Sequence, residues 1–176
     1  VVGWSPVKFT VKDYYFHLSQ FITTGIGTII EEGCNMSLQA FPNNLKVTLG
    51  CGILWIDLTD KAIPDASTFT KLFESSDYGF IPDTVTAANT INNAYINVRT
   101  NDHLTALVPM TTGYYKKDVF FITPEGALYY VYATEEYATE ELAIAASIPQ
   151  VPEQIKHSVA RVGAVIIQQG ATSVVD

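Results

Sequence analysis

The sequence predicts a mainly β protein with a short N-terminal helix, built from antiparallel, β-sandwich-like subdomains and completed as a trimer. Three observations carry this. Residues 115–176 read as a hairpin, a proline-punctuated crossover and a long closing strand. Through residues 36–49 apolar and polar side chains alternate with a period of two, as they do in half-buried strands. Third, 48% of the 176 residues are hydrophobic and only 16% are charged, against about 25% charged in an ordinary globular domain.

That shortage of charge bears on assembly. A monomer covers its surface with Lys, Glu, Asp and Arg. A chain poor in them, carrying ten Tyr and nine Phe, hides surface against neighbours, because aromatic rings bury much area at small entropic cost. The competing reading is a large tyrosine-rich β core.

The formal net charge is −8. Only Lys116 and Lys117 are adjacent basic residues, so the clustered cations that bind phosphate backbones are missing and nucleic acid is not an expected partner. No run of about 18 apolar residues occurs, so no membrane span is expected. Val1-Val2-Gly3-Trp4-Ser5 lacks the charged start and apolar run of a signal peptide. Two cysteines, Cys34 and Cys51, make no disulfide framework. They read as buried free thiols, with a single cross-strand disulfide as the alternative.

In chain order, Trp4-Ser5-Pro6 opens an extended arm that continues through residues 7–11. Asp13 is placed to cap a short helix from Tyr14 to about Thr23, with Tyr14, Leu18, Phe21 and Ile22 on one stripe and Gly25 as its stop. Met36, Leu38 and Ala40 then face Leu45, Val47 and Leu49 across a Pro42-Asn43-Asn44 turn. Gly50 and Gly52 flank Cys51, which marks a bulge or a close backbone approach before the strand 53–58. Residues 1–60 thus form an arm, helix and hairpin subdomain. Residues 61–93, punctuated by Pro64, Gly79 and Pro82, read as an irregular excursion or linker, with Phe69, Leu72 and Phe73 on one helical turn.

Residues 94–176 form the C-terminal sandwich-like subdomain. Strands at 95–99 and 103–108 meet over an Asn101-Asp102 turn, and Pro124-Glu125-Gly126 joins the strands 119–123 and 127–134. Residues 134–146 have helical propensity with acidic residues early, but loop followed by strand is the preferred reading. Pro149 and Pro152 exclude a helix interior or a central strand, so the chain crosses there and returns as the strand 158–174.

Catalytic chemistry finds little support. His17, His103 and His157 sit in different elements without metal-ligand spacing, so neither metal nor cofactor is expected. Glu135, Glu136, Glu140 and Glu141 form one acidic cluster, not the separated pair of a glycoside hydrolase. Phosphate-loop, dinucleotide and serine-nucleophile motifs are absent. The aromatic candidates for a subunit interface or a glycan contact are Trp4, Trp55, Tyr129, Tyr130 and Tyr132, with Tyr130 and Tyr132 sharing one strand face and Tyr129 on the other.

The order FFITPEGALYYVYAT, LAIAAS, IPQVPEQ and VARVGAVIIQQGATSVVD resembles a module of tailed-bacteriophage baseplate and tail-fibre proteins, and LKVTLGCGILWIDL resembles their opening strand pair. Gly25-Ile26-Gly27 sits where the helix of those proteins ends, whereas Arg99 lacks the Arg-x-Asp of their middle strand. The resemblance implies a non-catalytic virion structural protein, assembled in the host cytoplasm. It would be a homotrimeric baseplate component or the anchor of a tail fibre, partnered by other virion proteins. A capsid decoration or head-fibre protein, and a module binding host-surface glycan, are the alternatives.

Overall fold

The computed structural model describes residues 28–39, 45–56, 59–75, 79–84, 86–99, 105–149, 151, 155 and 158–174. The expected N-terminal arm and helix lie outside them. In chain order the strands are β1 (Ile29–Gly33), β2 (Met36–Leu38), β3 (Val47–Leu49), β4 (Gly52–Ile56), β5 (Thr59–Ile63) and β6 (Phe69–Ser75). There follow β7 (Gly79–Pro82), β8 (Tyr95–Arg99), β9 (Thr105–Pro109), β10 (Tyr115–Ile122), β11 (Leu128–Val131), the helix α1 (Glu140–Ala145) and β12 (Ala160–Gln168). The protein is mainly β, with several antiparallel sheets.

A five-stranded sheet of order β12-β10-β11-β6-β7 forms the centre. Its nucleus is the hairpin read from sequence, Val119 opposite Val131 and Ile122 opposite Leu128. Gly126 makes the turn at φ +84°, a conformation that a Cβ penalises. The crossover at 147–149 is neither helix nor strand, and β12 returns antiparallel to β10, as the prolines required.

Period-two alternation gives the sheet two different faces. On the first, Phe120, Ile122, Leu128 and Tyr130 meet Val47, Leu49, Leu54 and Ile63 in one buried cluster. On the second, Leu72, Val119, Phe121 and Val131 are covered by Val159, Ile148, Val151 and Ile155. One cluster therefore joins side chains from 34–63 with others from 120–167.

Three expectations are corrected. Residues 61–93 are not an irregular excursion: they complete β5 and supply β6 and β7 to the central sheet. Phe69 and Leu72, read as one helical stripe, lie in different core clusters because the local period is two. The sheet is also not wholly antiparallel, since β6 runs parallel to β11, with Leu128 opposite Phe69.

A fourth correction is α1, where loop and strand were preferred. The Thr139 hydroxyl accepts from Leu142 N at 3.4 Å, and Glu140 and Glu141 occupy the first turn. Hydrogen bonds from its own backbone N–H and from Thr139 hold the Glu141 carboxyl below the usual range. At the other end, Lys117 Nζ donates to the carbonyls of Ile144 (2.7 Å) and Ala146 (2.8 Å). With both ends satisfied, a six-residue helix persists where propensity alone is marginal.

The cysteine expectation holds for one residue only: Cys34 is buried and Cys51 exposed, both free. The glycines do mark a close approach. Cys34 N donates to Cys51 O at 3.1 Å. A Cβ on Gly52 would stand 2.5 Å from Cys34 N and Sγ, so the Cys34 thiol lies on the Gly52 side of β4. Its neighbour Cys51 faces away, as successive strand residues do.

Candidate functional site

Of the five aromatic candidates, Trp4 lies outside the described residues. Tyr130 and Tyr132 are 0% and 1% exposed, so neither ring offers a face to a glycan or a subunit. They stack edge-on, centroids 5.1 Å apart, and Tyr130 continues onto Phe120 at the same distance. Tyr129, on the opposite strand face, packs half-buried against the second cluster. Trp55 is half-buried in β4, between Ile29 of β1 and Asp60 of β5.

What buries the two tyrosines is a polar network on the first face, which sequence reading missed. Lys116 and Asp118 of β10 are both fully buried and pair at 2.8 Å. Lys116 Nζ also donates to Tyr95 O at 2.8 Å and lies 4.9 Å from the Tyr132 ring centre. Asp118 accepts from the Tyr130 hydroxyl, and from Ala133 N at 2.7 Å. A second ion pair, Lys71–Asp83 at 3.5 Å, is joined to it through Tyr132, whose hydroxyl donates to Asp83 at 2.5 Å. Lys71 further donates to Ala87 O at 2.7 Å.

Loss of hydration pulls the Lys116 ammonium below its ordinary range, and the Asp118 charge opposes that fall. Burial, followed by the Asp118 charge, pushes the Tyr130 hydroxyl well above its own. Burial thus keeps the proton on Tyr130, while on Lys116 it favours the neutral form and the Asp118 charge counters it. Their partners include loop carbonyls between residues 87 and 95, so the network pins that loop onto the sheet. It organises structure and is not arranged for proton transfer to a substrate.

Among the described residues, two surfaces are open. The first is the three-stranded sheet β1-β4-β5. Four of the five residues of β1 and four of the five of β5 are exposed. Leu54 and Ile63 root it in the core, while Ile29, 42% exposed, stands opposite Trp55 on its outer part. The second is a cavity of about 740 Å³ on the second face of the central sheet, between Phe80, Asn97, Lys117, Val131, Tyr137 and Pro149. Asn97 is 2% exposed and its Oδ1 has no partner, an arrangement that costs about 1–3 kcal/mol.

His17, His103 and His157 lie outside the described residues. The acidic cluster separates into different tasks. Glu136 accepts from Thr111 N at 2.7 Å, Glu135 from the Tyr137 hydroxyl at 3.0 Å, and Glu140 and Glu141 begin α1. Among the described residues no group of three or more His, Cys, Asp or Glu is placed to hold a metal ion, and no helix is long and apolar enough to cross a membrane. Comparisons with protein families, curated proteins and solved structures find no match.

Proposed function

We propose that this chain is a structural protein of a virus particle, a baseplate component or the particle-anchoring domain of a tail fibre. It acts by assembly and attachment, as a homotrimer of sandwich-like units. The resemblance in residues 115–174 and the low charge motivate the reading. The observation that carries it is the β1-β4-β5 sheet. Its outer strands bury almost nothing within their own chain, and a sheet gains stability from an apolar face packed on something else. Exposed Ile29 stands opposite half-buried Trp55 on this sheet; Trp is among the side chains most often dominant at subunit contacts. Closed threefold symmetry buries such a surface without leaving an open edge to propagate.

The test is light scattering on the whole chain. Wild type is expected as three chains of 19.3 kDa each at micromolar concentration. Trp55→Ala is expected to weaken the trimer at least about 30-fold, the loss typical of a central interface tryptophan, with unfolding of the isolated chain little changed. A wild-type protein that scatters as a monomer overturns the proposal.

A further inference from the structure

We propose that the cavity on the second face of the central sheet is a binding site for a neutral, hydroxyl-rich ligand, a sugar ring of one or two residues. This rests on the cavity alone and does not depend on the assembly reading.

Four features converge. The volume, about 740 Å³, falls within the roughly 300–1,000 Å³ of small-molecule sites. Part of the lining is apolar, from Phe80, Val98, Val131 and Pro149. A pyranose ring presents a matching face of C–H groups to such side chains. The lining also holds hydrogen-bonding groups of both kinds, Glu74, Glu135 and Tyr137 together with Lys117.

Asn97 decides between ligand classes. Its amide lines the cavity, is almost wholly buried and leaves its oxygen unpartnered. Turning the amide over would leave the nitrogen wanting an acceptor instead. A hydroxyl satisfies either orientation, because it both donates and accepts. An ammonium ligand satisfies only one and would enter beside the Lys117 charge. An anion satisfies only the other and would enter beside the Glu74 and Glu135 carboxylates. A neutral polyol escapes both conflicts.

The experiment is a ¹H–¹⁵N NMR titration of the whole chain with glucose, galactose, mannose and N-acetylglucosamine, with choline as the cationic probe and inorganic phosphate as the anionic one. At least one sugar is expected to bind with a millimolar Kd, typical of single-ring ligands with few contacts. Saturable shifts should be confined to the amides of Asn97, Val98, Val131, Thr134 and Tyr137. A disaccharide containing that ring should bind more tightly, and a long polysaccharide no less tightly, if the natural source is a glycan chain.

Asn97→Leu removes the polar anchor and is expected to weaken sugar binding at least about tenfold. Tyr137→Ala, at the rim and away from the core, gives the same loss without relying on a core substitution to fold. Absence of cavity shifts with every sugar overturns the proposal. So do choline or phosphate shifting these amides while sugars do not, and sugar shifts unchanged in both variants.

Discussion

Asp118→Ala is expected to lower the unfolding temperature by roughly 10 °C, because it leaves a fully buried ammonium without its counter-charge. Removing one partner of a buried pair costs about 3–5 kcal/mol, and about 1 kcal/mol moves the midpoint of a domain this size by roughly 2–4 °C. Here the loss is compounded: Asp118 also receives the Tyr130 hydroxyl and Ala133 N, so three donors lose this acceptor together. Replacing both charges, as Lys116→Met with Asp118→Leu, is expected to recover much of the loss, since no uncompensated ion remains.

The pH dependence gives an independent reading. Lys116 titrates below its ordinary 10.5 because of burial, and Asp118 is the group that raises it. Without Asp118 it falls further. A lysine whose folded value is depressed destabilises the fold at low pH, and the deficit is relieved as pH rises from the folded value toward the ordinary one. The Asp118→Ala deficit should therefore shrink as pH rises toward the ordinary lysine value, read below the range where tyrosines of the unfolded chain ionise. Thermal melts showing Asp118→Ala within about 1 kcal/mol of wild type at pH 7 would falsify the buried-pair account.

The sequence made this network readable in part. Lys116, Asp118, Phe120 and Ile122 alternate with a period of two inside one strand, which places both charges on the core face. Starting the strand at Val119 hid them. Their partners Asp83 and Tyr95 depend on where β7 and the loop after it pass, and no local pattern encodes that. The same limit applies to β6, whose parallel partner β11 lies more than fifty residues later. Its Lys71 is buried because Asp83 and Ala87, from the following segment, supply its partners, which no local pattern shows. The hairpins β2–β3, β8–β9 and β10–β11 were legible because turn residues and alternation sit within a few residues of each other. For α1, propensity and an acidic first turn pointed to helix, but the Lys117 side chain that satisfies its last carbonyls comes from another strand. As for the aromatic candidates, alternation correctly separated Tyr129 from Tyr130 and Tyr132. It could not say that the pair's face is the core.

Gly52→Ala is expected to dissociate the proposed trimer while leaving the central sheet folded. At Gly52 the β1 and β4 backbones come so close that an added Cβ would lie 2.5 Å from Cys34 N and 2.5 Å from Glu32 O. Backbone on two sides cannot yield as a flexible side chain does, so β1 must separate from β4 and the register that places Ile29 opposite Trp55 is lost. Gly163→Ala provides the contrast. There the obstructing atom, at 2.7 Å, is the terminal methyl of Met36, which turns aside at little cost. Both changes add one methyl group, yet only the first acts on the exposed sheet. Light scattering should report monomers for Gly52→Ala and trimers for Gly163→Ala. Amide exchange should show protection lost in β1, β4 and β5 but kept in β10 and β12. A Gly52→Ala trimer with β1 deprotected would mean that the subunits meet elsewhere, and the role given to the β1-β4-β5 sheet would fail even though its backbone geometry had been read correctly.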